Sequence, residues 1–239
     1  MAYSTPALTR ALESEPVHRG RSKTVYDLGD GYCLVRLVPS LHSFTYRREA
    51  LVPGTDRLRL AFFAKAAARL KEAGVPCAFV ETVDDTSYIS RYCPTPPFEV
   101  IVKNVANGST VRKYPGLFPP GHVFGGPVVK FDYRVDPEDQ PIAEDYLREY
   151  GLDPVPMRQI ALRTNEVLRD WLAPRTLWDF CIILGEDGDG GYTIASEVSP
   201  DGMRLKDVDG SALDKDLFRT GREPAEILAV WTRLVDSLD

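Results

Sequence analysis

The sequence predicts an α+β fold, and three observations carry that prediction. Residues 24–26 and 32–38 are strand-like runs on either side of Gly29-Asp30-Gly31, and β-branched, alternating segments around a glycine turn read as an antiparallel hairpin. Residues 57–74 are alanine-rich and closed by Gly74 and then Pro76, the pattern of a helix with a glycine at its C-terminus. Pro224 opens a second amphipathic stretch that runs to about Leu238, since proline at the first helical position gives up an N–H that has no partner there.

The remaining elements follow in chain order. The hairpin begins a first lobe, and the apolar face of the 57–74 helix is expected to pack on its sheet. Strands are predicted at 78–83, 87–92 and 98–103. Between the last two lies Cys93-Pro94-Thr95-Pro96-Pro97, too proline-rich for a sheet. It reads as a hinge between an N-terminal part, residues 1–97, and a larger mixed part, residues 98–239. Residues 115–127 hold four prolines and four glycines, which predicts an irregular loop. Ile160, Ala161, Val167, Leu168, Trp171 and Leu172 recur at helical spacing and predict a helix over 157–172. Residues 178–184 and 192–198 read as a hairpin around the acidic turn at 185–191. There is no internal repeat.

At 239 residues and 44% hydrophobic, the chain can bury a substantial core. Its formal net charge of −6 argues against general binding to nucleic acid or anionic membranes, which needs a basic face. Any phosphate site must be local. The four cysteines have no Cys-x-x-Cys spacing, so structural thiols in a reducing compartment are expected. With no run of about 18 apolar residues and no signal-like N-terminus, a cytoplasmic protein acting on a small molecule is expected. His18, His42 and His122 are too scattered for a zinc site, and no metal-ligand set is assigned. Homo-oligomer formation is left open.

The most informative stretch is Ser196-Glu197-Val198-Ser199-Pro200-Asp201-Gly202-Met203-Arg204-Leu205. A Pro-Asp-Gly turn fixes the guanidinium that follows it, an arrangement suited to an anion and also found in ordinary surface loops. Three more segments accompany it: Gly20-Arg21-Ser22-Lys23-Thr24-Val25-Tyr26, Val102-Lys103-Asn104-Val105-Ala106-Asn107-Gly108-Ser109 and Leu213-Asp214-Lys215-Asp216-Leu217-Phe218-Arg219. A glycine beside two cations can fold over a polyphosphate. A turn after an apolar strand can offer a backbone amide and a hydroxyl to one ligand oxygen.

In this order, from about Arg19 to the C-terminus, the segments resemble the SAICAR synthetase family, ATP-dependent ligases that join aspartate to a phosphoribosyl-carboxyaminoimidazole. The resemblance implies a two-lobed fold with the site in the cleft between an antiparallel lobe and a mixed lobe. It assigns Arg21 and Lys23 to the ATP phosphates, Lys103, Ser109 and Arg204 to the ribose 5′-phosphate, and Lys215 and Arg219 to the same site. The family's Asp-Phe-Lys-x-Glu-Phe-Gly strand is Asp179-Phe180-Cys181-Ile182-Ile183-Leu184-Gly185 here. A cation and a hard oxygen ligand are thereby lost. The family's Asp-Glu is Ser196-Glu197, its Asp-Arg-Lys-Gly loop is Leu51-Val52-Pro53-Gly54, and its His-Asp-Pro is Val135-Asp136-Pro137.

Asp179, Asp136 and Glu197 persist. In a cleft walled by Trp178, Phe180 and Ile183, they are expected to have raised pKa values suited to acid/base work. The acidic turn at Glu186, Asp187 and Asp189 is expected to be a solvated hairpin tip. The resemblance implies ATP and magnesium as cofactors, and the substitutions count against them. The expected function is an enzyme acting on a 5-phosphoribosyl imidazole or purine-like nucleotide. Its expected role is specialised metabolism of the nucleoside-antibiotic type, with weakened or lost ATP and magnesium use. The alternatives are an ATP-dependent SAICAR synthetase of purine synthesis and a non-catalytic nucleotide-binding partner.

Overall fold

The computed structural model of the chain describes residues 5–239. Helix α1 (Thr5–Glu13) precedes strands β1 (His18–Arg19), β2 (Lys23–Gly29) and β3 (Tyr32–Leu37). β2 and β3 pair antiparallel, with Gly29 facing Tyr32 across a two-residue loop. Both loop residues, Asp30 and Gly31, have positive φ, 54° and 77°, the requirement of a primed hairpin turn whose twist matches the strands. The expected hairpin is present because Asp-Gly meets that requirement.

A separate hairpin, β4 (Ser40–Ser43) with β5 (Arg48–Leu51), leads into α2 (Thr55–Glu72). The helix stops where the glycine signal places it. Gly74 has φ 70°, and the Gly74 and Val75 amides donate to the Lys71 and Leu70 carbonyls, satisfying acceptors that the last turn leaves free. Phe63 of α2 meets Phe79 and Tyr88 edge-on at 5.1 and 5.4 Å. The helix therefore lies on the sheet that β6 (Phe79–Thr82) and β7 (Ser87–Arg91) complete, in the order β1-β2-β3-β7-β6.

Residues 93–97 carry the chain into a second antiparallel sheet. Its members are β8 (Phe98–Val105), β9 (Val123–Tyr133), β10 (Gln140–Ile142), β11 (Thr176–Ile182) and β14 (Met203–Lys206), in the order β10-β9-β8-β11-β14. Between and after these run α3 (Ser109–Lys113), α4 (Glu144–Glu149), α5 (Pro154–Leu172), the short hairpin β12 (Leu184–Glu186) with β13 (Tyr192–Ile194), α6 (Asp216–Arg219) and α7 (Pro224–Asp236). Buried side chains of both sheets and of α2, α5 and α7 form one cluster, with Val35, Leu60, Val100, Leu168, Phe180 and Leu234 among them. Burying each large apolar side chain stabilises by about 1.5–3 kcal/mol. A smaller cluster of Leu41, Val52, Leu217, Phe218, Ile227 and Trp231 ties the β4–β5 hairpin to α6 and α7.

Three expectations need correction. The 115–127 segment is not irregular throughout, because β9 begins at Val123. Two residues of β8 face five of β9 across a register break, so Gly125-Gly126-Pro127 is absorbed as a bulge that needs neither a ladder N–H nor a β side chain. Helix α5 starts at Pro154 rather than Met157, since the Asp153 side chain accepts the Val155 amide and proline occupies the first turn. The hairpin at 178–198 is confined to β12 and β13, because β11 pairs with β8 and β14. Among the described residues no helix is long and apolar enough to cross a membrane, and all four cysteines are free thiols.

Candidate active site

Alternation along β8 sends Phe98, Val100 and Val102 into the core and turns Glu99, Ile101 and Lys103 to the opposite face. Strand register then lays out three rows on that face. The first holds Arg204, Asp179 and Lys103, the second Cys181, Ile101 and Lys130, and the third Glu99 and Asp132. Over this floor opens a cleft of about 1000 Å³, reached by Glu99, Ile101, Asp132 and Arg204. Arg21, Ser109, Asp136, Trp178, Lys215 and Arg219 line it from the other sides.

The first row is an ion cluster. Lys103 Nζ and Arg204 Nη1 donate to the same Asp179 oxygen at 2.7 and 2.9 Å, and the Lys103 and Asp179 side chains are only 3% and 6% exposed. Burial opposes the charge on Asp179, but Arg204 and Lys103 outweigh it and hold the carboxyl below its ordinary range. The raised pKa expected for Asp179 is thus reversed, because the residue faces two cations instead of an apolar wall. Phe180, expected in that wall, points the other way into the core. Lys103, expected to meet a phosphate, is spent on Asp179 and on Asn107 Oδ1, 3.3 Å away.

Arg204 is the cation this cluster presents to the cleft. Its Nε lies 3.4 Å from Asp216, which also takes Arg219 Nη1 at 2.7 Å and Lys206 Nζ at 3.6 Å. Gly108 has φ +50°, and a Cβ there would stand 2.7 Å from Arg204 Nη2. Only glycine lets the turn before Ser109 close on the guanidinium. Lys215 pairs with Asp201 at 3.0 Å.

Each of the other two nominated carboxylates has its own cation. Asp136 is exposed and pairs with Arg21 at 3.2 Å. Glu197 is gripped at both oxygens by Arg59, at 2.6 and 2.8 Å, and Ser199 Oγ donates to it at 2.8 Å. The Arg59 side chain is 1% exposed, and its Nη1 donates to the Val38 carbonyl at 2.9 Å. Burial works against the guanidinium's charge, yet Glu197, with Asp201 behind it, keeps it protonated well above the ordinary value. The three carboxylates therefore do not converge.

The family profile of SAICAR synthetase matches residues 16–231. The chain belongs to the SAICAR synthetase family. A phosphoribosylaminoimidazole-succinocarboxamide synthase of Methanocaldococcus jannaschii is 30% identical over 239 residues, covering 97% of each chain. Among solved structures, a Type-2 SAICAR synthetase in complex with ADP superposes with a TM-score of 0.85 at 26% identity, covering 93% of this chain and 98% of that one. The Type-1 SAICAR synthetase of Pyrococcus horikoshii gives 0.82 at 26% identity, covering 91% and 99%. The two-lobed α+β expectation accords with these relatives.

Family membership implies ATP and magnesium, and the residues present can be tested for both. The turn at residues 20–23 keeps two cations. Arg21 reaches the cleft, while Lys23 is turned inward, where burial lowers its pKa against the pull of Glu197. The magnesium positions are different. Ile183 donates its amide to Ser196 Oγ at 2.9 Å, so the two substituted residues satisfy each other. Cys181 is a neutral thiol whose pKa is pushed up by burial, and Glu197 has no oxygen left for a metal. Among the described residues no group of three or more His, Cys, Asp or Glu side chains could hold a metal ion. Magnesium does not fit at these positions. At the acidic turn, Asp187 accepts the Asp189 and Gly191 amides at 3.0 and 2.9 Å, which is a self-satisfied hairpin tip.

Sequence reading missed Glu99, Asp132 and Arg59. Glu99 and Asp132 sit in alternating strands as ordinary outward polar residues, and only their register makes them neighbours. Arg59 lies within a helix on the face that should be apolar. A charge at a core-facing helical position was the available signal.

Proposed function

We propose that this chain is an enzyme that binds a 5-phosphoribosyl imidazole or purine-like nucleotide in the cleft, with the phosphate on Arg204 and Ser109. The observation that carries this reading is the bracing of Arg204 by Asp179 and Asp216 beneath the Gly108 turn. A fixed guanidinium next to a backbone turn suits a phosphate monoester. The relatives, named for the succinocarboxamide synthase, support ATP-dependent ligation in purine synthesis better than a role in antibiotic assembly. ATP in such a reaction would activate a carboxylate as an acyl phosphate. Arg204→Ala is expected to weaken binding of ribose 5-phosphate at least tenfold, since a charge-assisted hydrogen bond contributes about 1.5–3 kcal/mol. Binding of the dephosphorylated nucleoside should change far less. Calorimetry measures both, and equal losses would remove the assignment.

A second reading, weakened use of ATP and magnesium, is favoured by one observation. The carboxylate left at the family's metal position is neutralised by Arg59 instead. Losing about 4 kcal/mol of transition-state charge stabilisation costs roughly a thousandfold in rate. Phosphate release from ATP with magnesium, aspartate and the carboxyaminoimidazole nucleotide should be slower by that order. Turnover on the order of 1–1000 per second would restore the unmodified ligase.

A further inference from the structure

Glu99 and Asp132 close the end of the cleft opposite the phosphate grip, and we propose that this carboxylate pair receives the amino-bearing edge of an imidazole nucleotide. The inference rests on the reading that Arg204 and Ser109 hold the phosphate. It adds the residues that select the other end of the ligand.

The floor of the cleft is the first support. From the row of Arg204, Asp179 and Lys103 to the row of Glu99 and Asp132 is four residues of β8, about 13 Å at ~3.3 Å per residue. That is the length scale of a phosphate, a pentose and a five-membered ring laid end to end. Between the rows lie Ile101 and Cys181. A neutral thiol acts as a small hydrophobe, so this middle row offers a flat apolar bed to a ring.

The second support is an orphaned acceptor. Asp132 has a side chain 6% exposed and lines the cleft. One of its oxygens pairs with Lys130, while Oδ1 is buried without a hydrogen-bond partner. Buried carboxylate oxygens are ordinarily satisfied, and an N–H donor arriving in the cleft would complete this one. Phosphate and carboxyl groups of a ligand are excluded from this end by like charge, so the end is selective for donors.

The groups facing Glu99 are Asp132 and Lys130 from β9, Arg134 just beyond it, Asp139 from the segment before β10, and Cys181 from β11. Burial, with the Asp139 and Asp132 charges adding to it, raises Glu99 to about 7. Below that pH the carboxyl carries a proton. An amino group donates better to a carboxylate than to a carboxylic acid, so binding favours the ionised form and the Glu99 proton leaves to solvent.

Calorimetric titration with 5-aminoimidazole ribonucleotide and with ribose 5-phosphate tests this, because both share the phosphate ionisation and differ in the ring. For the unmodified chain, the affinity ratio of the first to the second should rise about tenfold from pH 6 to pH 8. Glu99→Gln should flatten that ratio and leave ribose 5-phosphate binding unchanged. Asp132→Asn should lower affinity for the aminoimidazole ligand alone. A ligand-free check follows from the sign of the shift: the folded pKa lies above the ordinary 4.5, so stability falls as pH rises from there through about 7. Glu99→Gln should therefore raise the melting temperature at pH 8 and leave it unaltered at pH 4. An identical pH dependence in the unmodified chain and Glu99→Gln would overturn the proposal, as would an aminoimidazole ligand that gains nothing over ribose 5-phosphate at pH 8. Failure of the unmodified chain to bind ribose 5-phosphate would instead overturn the phosphate grip beneath it.

Discussion

Arg59→Met is expected to destabilise the chain by roughly 3–5 kcal/mol, the cost of removing one partner from a buried ion pair. Arg59 is fully buried and holds both oxygens of Glu197 and the Val38 carbonyl. Methionine keeps the apolar stem and leaves a carboxylate facing the core with only the Ser199 hydroxyl to serve it. Pairing Arg59→Met with Glu197→Gln removes the stranded charge and should recover a large part of the loss, which a double-mutant cycle would read as coupling. Urea unfolding of the two single variants and the double variant measures it. A single variant within about 1 kcal/mol of the unmodified chain would show that Glu197 is solvated, and its carboxylate would again be available to a metal.

The first sheet was legible because its signals are local. An Asp-Gly loop, a glycine stop after α2 and a proline at the start of α7 each act through the backbone conformation of one or two residues. The second sheet was less so. β14 is four residues long and is a strand only because β11 is there to pair with it, while Gly-Gly-Pro inside β9 is a bulge only because β8 continues past it. Such elements are decided by long-range pairing that local pattern does not encode.

The site divides in the same way. Arg204 and Ser109 were visible as motif residues and the structure places both on the cleft. Which carboxylate is free was not visible, because pKa depends on neighbours brought together across strands. Asp179 looked like the acid/base group from its aromatic flanks, and the register with β8 and β14 instead places Lys103 and Arg204 against it. Glu99, a plain strand residue in sequence, is the carboxyl that the fold surrounds with other acids.

Asp179→Asn is expected to cost roughly 3–5 kcal/mol of stability, because it keeps the shape and strands two cations, Lys103 almost wholly buried and Arg204 half-buried. It should also weaken ribose 5-phosphate binding at least tenfold, since the guanidinium loses the anion that aims it. The sign of the pH dependence follows from a folded pKa held below the ordinary 3.8: the Asp179 contribution is complete above that pH and is lost as pH falls through the folded value. Unfolding free energies of the unmodified chain and the Asn variant should therefore differ by a constant amount at neutral pH and converge below pH 3.8. Adding Lys103→Met, which removes the most deeply buried of the stranded charges, should restore stability without restoring phosphate affinity, because Arg204 remains unbraced. That split separates a bracing role from general damage to the fold. An Asn variant that unfolds like the unmodified chain and binds ribose 5-phosphate equally well would mean that Asp179 braces nothing, and the acid/base role that the sequence suggested would return.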